Sequence, residues 1–142
     1  MRIDLNCDLG EGCADDDAML DIVTSANIAC GFHAGDANMM RRTIENAKQR
    51  HVRIGAHPSF LDREGFGRRA LPGFTSTDIE NLIAYQVGAL SAIASMCEYA
   101  ITHVKLHGAL YNLAARSESL SRIIAQTIVR IDSQLIFVVQ AG

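Results

Sequence analysis

The chain has no CxxC pair, no excess of basic residues, no long apolar run and no low-complexity segment. Each absence excludes something. The four cysteines, Cys7, Cys13, Cys30 and Cys97, are too few and too scattered for a disulfide framework or a closed structural zinc site. Reduced thiols in a cytosolic protein are the simplest reading. With 13 Lys and Arg against 16 Asp and Glu, the net charge is −3, which gives no footprint for nucleic acid. The start, Met1-Arg2-Ile3-Asp4-Leu5-Asn6, puts acid and amide where a signal peptide needs an apolar run. The stretch Leu82–Cys97 carries no charge, but Gln86, Ser91 and Ser95 interrupt it. It is also shorter than the roughly 20 apolar residues of a membrane span, so a core helix is expected. There is no GxxxxGK[ST] loop to hold a nucleotide and no HExxH pair to hold zinc.

What is present is alternation. Residues 1–142 read as a single domain in which short β-like runs take turns with helical stretches. The runs are Arg2–Asp8, Ser25–Phe32, Val52–Ala56, Ile101–His107 and Leu135–Val139. Between them, helices are predicted over Asp15–Val23, Ala37–Arg50 with Asp36 as N-cap, a long stretch opening on a Thr77-Asp78-Ile79-Glu80 capping box, and about Ser119–Ile131. The order βαβαβαβαβ points to a parallel sheet with crossover helices.

Parity along the strands separates a barrel from an open sheet. Asp4, Asn6 and Asp8 share one face of the first run, opposite Ile3, Leu5 and Cys7. Arg53, Gly55 and His57 align in the third, and His103, Lys105 and His107 in the fourth. In the second, Asn27 shares a face with His33 if the strand stays regular that far. Strands of a doubly wound sheet are apolar on both faces, whereas a polar face in consecutive strands suits a barrel lumen.

In parallel α/β folds the chemistry gathers at the C-terminal ends of the strands. Those ends here are Asp8, His33, His57 and His107, and their convergence is predicted. Together they suit either acid–base catalysis or a divalent metal. Lys105 can neutralise a substrate carboxylate or an oxyanion. Asp36 is first a helix cap, and Arg68 and Arg69 stand on a Gly-rich loop where an anion could bind. Substituting a lumen imidazole by alanine is expected to leave the fold intact.

Five segments in order resemble the LamB/YcsF family. They are Asp4–Gly12, Ser25–Asp36, Ile54–Ser59, Gly65–Arg69 and Val104–Asn112. Leu61 and Leu106 stand where that family usually has proline. The resemblance implies a parallel (β/α) barrel of the glycosidase/deacetylase type, of which this chain would be the N-terminal five-strand portion. It implies ATP-driven cleavage of the lactam of 5-oxoproline to glutamate, together with two other subunits, in the cytoplasm. Asp8, His33, His57, Lys105 and His107 are then the expected catalytic set. Asn6, Asn27, Asp36 and Arg68 are the expected substrate-binding set, with a divalent metal as a further cofactor. Two other functions are open to such a chain: a non-catalytic scaffold or anion-binding subunit, and a stand-alone metal-dependent deacetylase-like hydrolase. Five strands of a fold that needs more also predict open edges and self-association.

Overall fold

A computed structural model describes residues 3–141; Arg2, where the first run is expected to begin, lies outside them. Five parallel strands, β1 (Asn6–Leu9), β2 (Ser25–Ala29), β3 (Arg53–His57), β4 (Ile101–Lys105) and β5 (Ile136–Val138), stand side by side in sequence order. That order never reverses, as it would at the switch point of a doubly wound sheet. It is the order of the opening part of a parallel (β/α) barrel.

The intervening helices are α1 (Asp16–Met19), α2 (Ala37–Gln49), α3 (Ser76–Met96), α4 (Gly108–Ala114) and α5 (Glu118–Ile131). Helix α2 begins as expected: Asp36 accepts a hydrogen bond from the Met39 amide at 2.8 Å. For α3 the cap lies two residues before the expected one. The N-cap is Thr75, whose hydroxyl accepts from the Asp78 amide while Asp78 reaches back to the Thr75 amide. The pattern Thr75-x-x-Asp78 satisfies two orphan donors as well as Thr77-x-x-Glu80 would have done. Helix α1 is a single turn rather than nine residues: it starts at Asp16 and gives way to turns after Met19, whose carbonyl takes the amides of Ile22 and Val23.

The apolar face of the sheet and the inner stripes of α2, α3 and α5 make the core, with Ile28, Ile44, Ile54, Ile83, Leu90, Val104, Leu110, Ile124 and Ile128 almost wholly buried. The uncharged stretch of α3 is amphipathic: Leu82, Ile83, Val87 and Leu90 are buried, whereas Tyr85 and Met96 are exposed. No helix among the described residues is long and apolar enough to cross a membrane. The one polar side chain that α3 buries, Gln86, has a specific task. Its amide bonds both the Ser59 carbonyl (2.9 Å) and the Ser59 amide (3.0 Å), pinning the chain just after β3.

Strand parity holds where the strands are regular. The ladder aligns Asp8, Asn27, Gly55, His103 and Ile136 in one row across the sheet. Gly55 is necessary in that row. A Cβ there would overlap the His103 ring, which crosses over it to reach Asn27. The first strand is shorter than expected. Ile3 and Leu5 precede β1 and are 75% and 50% exposed, so no helix covers that side among the described residues. The second strand is shorter too. β2 stops at Ala29, and the chain turns at Gly31 with a φ of 88° that a side chain would resist. His33 therefore reaches the site from a loop and not through strand parity.

Candidate active site

The site starts with a row of hydrogen bonds on the polar face of the sheet. Asn27 is wholly buried and uses its full capacity. Its Nδ2 donates to Asn6 Oδ1 (2.5 Å) and Asp8 Oδ1 (2.7 Å), and its Oδ1 accepts from Asn6 Nδ2 (3.2 Å) and His103 Nε2 (2.9 Å). Asn27 thereby aims Asp8. Lys105 Nζ meets the same carboxylate at 2.8 and 3.1 Å, and His57 Nε2 lies 3.3 Å from Asp8 Oδ2.

Beyond Asp8 stand the three histidines. His57 Nδ1 donates to the Lys105 carbonyl at 2.6 Å, and its Nε2 lies 3.0 Å from His107 Nδ1. His107 Nε2 donates to the Phe66 carbonyl at 2.8 Å. The His33 ring stacks on His107 with centroids 3.8 Å apart, and both stand nearly perpendicular to His57. All three are buried. The predicted convergence of Asp8, His33, His57 and His107 is found in the fold.

Strand parity does not point to Glu11, yet it belongs to the cluster. Its Oε1 lies 2.9 Å from His33 Nε2 and 3.6 Å from His107 Nδ1. Local structure explains how it gets there. Gly10 and Gly12 both have positive φ, and the Asp16 carboxylate accepts both of their amides (3.1 and 3.3 Å). The residue between them is turned inward. The signal in the sequence is an acid framed by two glycines immediately after β1. A loop at residues 62–69 closes the other side. Buried Asp62 takes the Arg69 guanidinium and the Gly65 amide, and Phe66 sets its ring edge-on to both His33 and His107.

Two expected residues stay apart from this cluster. Asp36 is exposed and occupied as the α2 cap. Arg68 is exposed, with its guanidinium over the Phe66 ring, 5.8 Å from the centroid. Asn6 and Asn27 belong to the row beneath Asp8.

Burial sets the charges. Taken alone it would raise the Asp8 pKa, but His57, Lys105 and Asn27 outweigh it and hold the carboxyl far below the usual range. For Glu11 burial again acts upward, and its bond to His33 outweighs it and holds the carboxyl low. Burial pushes His107 down to about 4, reinforced by His33 and His57. His103 also falls to about 4, chiefly through burial, with Asp4 opposing and Arg53, His57 and Lys105 assisting.

His103 lends itself to a direct test. Unfolded, it titrates near 6.5; folded, near 4. Between those values the unfolded chain takes up a proton that the fold refuses, so stability falls as pH drops through this window. The effect is about 2 kcal/mol once solvent screening is allowed for. His103→Gln, whose amide can still donate to Asn27, should flatten this part of the pH profile in urea unfolding at pH 7 and pH 4.5. An unchanged slope would show that His103 contributes nothing to it.

A profile of the LamB/YcsF family matches residues 3–142. The chain is 56% identical to the A-subunit of 5-oxoprolinase from Rhodopseudomonas palustris, covering 100% of this chain and 58% of that protein. It is 54% identical to that of Nitrobacter hamburgensis (100% and 58%) and 49% identical to that of Staphylococcus carnosus (97% and 56%). It superposes with a TM-score of 0.93 and 39% identity on the crystal structure of a lactam utilization protein from Thermus thermophilus, covering 100% of this chain and 59% of that one. The chain thus spans less than two thirds of the length of the curated relatives it matches. Matched by the family profile from residue 3 onward and by relatives over its whole length, the chain belongs to the LamB/YcsF family.

Proposed function

We propose that this chain carries part of the active site of an ATP-dependent 5-oxoprolinase, as the A-subunit or a portion of it, and works in the cytoplasm with two other subunits. Its 142 residues form a single domain in this reading, the N-terminal part of the barrel. One observation carries the proposal: the unbroken line Lys105–Asp8–His57–His107 at the C-terminal ends of the strands. The names of the relatives supply the substrate class.

A five-membered lactam resists attack because nitrogen donates into its carbonyl. Transfer of the γ-phosphoryl group of ATP to the lactam oxygen removes that protection. Water then adds to the carbon and the C–N bond breaks with a proton going to the nitrogen, which leaves an acyl phosphate. A second water attacks that group and releases phosphate and the free carboxylate. The sequence has no Walker A loop, so this chain would not hold ATP by that device. What it offers is proton acceptors for the attacking water and a fixed cation. The acceptors lie within the Asp8, His57 and His107 line, with His33 stacked against it, and Lys105 faces developing negative charge. Asn6 and Asn27 hold Asp8 in place. Arg68, exposed on the loop beside the cluster, can receive the substrate carboxylate, while Asp36 acts by fixing the start of α2. A divalent metal is the second cofactor that the histidines can accommodate.

The test is release of glutamate from 5-oxoproline with purified partner subunits. Turnover requiring ATP, this chain and both partners is expected. Hydrolysis of amides by the chain alone, without ATP, would favour the stand-alone hydrolase. No contribution to turnover while the chain still binds the partners would favour the scaffold.

A further inference from the structure

We propose a divalent metal centre held by His57 Nε2, His107 Nδ1 and Glu11 Oε1, with His33 orienting the carboxylate. The reasoning is a count of protons. A carbonyl oxygen can only accept, so the Lys105 carbonyl fixes the proton of His57 on Nδ1, and the Phe66 carbonyl fixes that of His107 on Nε2. The two remaining nitrogens, His57 Nε2 and His107 Nδ1, face each other across 3.0 Å. In neutral rings both carry lone pairs, and Asp8 Oδ2 stands 3.3 Å from the same His57 Nε2, so three acceptors converge where a positive centre would satisfy them. Anchoring the outer N–H of an imidazole on a backbone carbonyl is how proteins present the inner nitrogen to a metal.

The same count removes His33 from the ligand set. A carboxylate can only accept, and Glu11 Oε1 lies 2.9 Å from His33 Nε2, so His33 Nε2 carries the proton between them. The Ser59 hydroxyl stands at His33 Nδ1, 2.9 Å away. The geometry agrees, because His33 lies parallel to His107 within 3° and two such stacked rings cannot both point in-plane at one ion. His33 instead aims Glu11, whose Oε1 lies 3.6 Å from His107 Nδ1. Separations of 3.0 and 3.6 Å match the edges of a coordination sphere with bonds of about 2.0–2.2 Å to nitrogen and oxygen. The candidate ligand atoms of Glu11, His33, His57 and His107 all fall within 4.8 Å of one another. Two nitrogens and one carboxylate suit zinc or a neighbouring first-row ion and leave positions open for water or a substrate oxygen. The inference is tested apart from the reaction proposed above, since binding is read without turnover; with a metal on the two imidazoles, Asp8 is the proton acceptor left for that reaction.

The experiment is calorimetric titration of the chelator-treated full chain with Zn²⁺, and with Co²⁺ followed by its visible absorption. Both are carried out with Cys13→Ser in every protein, because Cys13 is exposed and is a competing thiol. One ion per chain is expected. Loss of about 100-fold or more in affinity is expected in His57→Ala, and of about 10- to 100-fold in His33→Gln, which keeps the ligands but loosens Glu11. Glu11→Gln serves as a second ligand variant, nearly isosteric, should His57→Ala fail to fold. Absence of stoichiometric binding at micromolar metal, or equal binding by all variants, would overturn the proposal. A shared proton between the two imidazoles would then be what holds them.

Discussion

His57→Ala or His107→Ala in the reconstituted complex is expected to lower kcat by about 10² to 10⁴, the range for loss of a positioned acid–base group. Both residues sit in the line from Lys105 through Asp8; removing His57 breaks it and removing His107 takes away its far end. The stability side of this prediction differs from what the sequence alone suggests. The imidazoles are not loose lumen groups; each satisfies a backbone carbonyl, at Lys105 and at Phe66. Truncation to alanine leaves that carbonyl without its partner, at a cost of about 1–3 kcal/mol. Two conservative variants separate the effects. In His57→Asn the amide occupies the place of Nδ1 and can still donate to Lys105. In His107→Gln it occupies the place of Nε2 and can still donate to Phe66. Both should regain stability in thermal melts without regaining turnover in the glutamate-release assay. Turnover near that of the unaltered complex in both alanine variants would remove these histidines from the mechanism.

Which parts of this site are legible in the sequence follows from what each residue depends on. Asp8, His57 and Lys105 lie within strands, where a period of two assigns the face, and their placement can be read directly. His107, just past β4, follows the same logic because it caps α4 at once. Glu11 cannot be read in that way. Its position depends on two left-handed glycines and on the side chain of Asp16, further along the chain, which pulls the loop into shape. Strand parity has no bearing on such a turn. His33 belongs to the expected end of the sheet, but the strand that was to carry it stops at Ala29. Gln86 is hidden for the opposite reason. In a helix of apolar residues a glutamine looks like an interruption, and only the Ser59 backbone it grips shows its purpose. The fold class rests on local alternation and pairing in sequence order, so it is the most legible level of all.

The 142-residue chain expressed by itself is expected to associate at micromolar concentration. Its sheet has two edges among the described residues, β1 and β5. Beside β1, Ile3 and Leu5 are 75% and 50% exposed; at β5, Ile136 and Val139 are 60% and 58% exposed. Between α4, α5 and β5 an open groove of about 920 Å³ is lined by Leu106, Tyr111, Ala114, Phe137 and Val139. In the segment Leu135-Ile136-Phe137-Val138-Val139 no residue is charged and none is proline, so neither of the usual guards against edge pairing is present. Uncharged runs of β-branched and aromatic residues are also those that stack into aggregates. Burying exposed apolar side chains of this size yields about 1.5–3 kcal/mol each, so a few of them can offset the entropy of association. Charge at the edge tests the cause: Ile136→Lys with Val139→Glu, both at exposed positions, should suppress association without touching the histidine cluster at Glu11, His33, His57 and His107. Light scattering across a concentration series provides the measurement. A monodisperse 15.4 kDa monomer that unfolds cooperatively would mean that five strands close their own core. The expectation that these edges drive association would then fail.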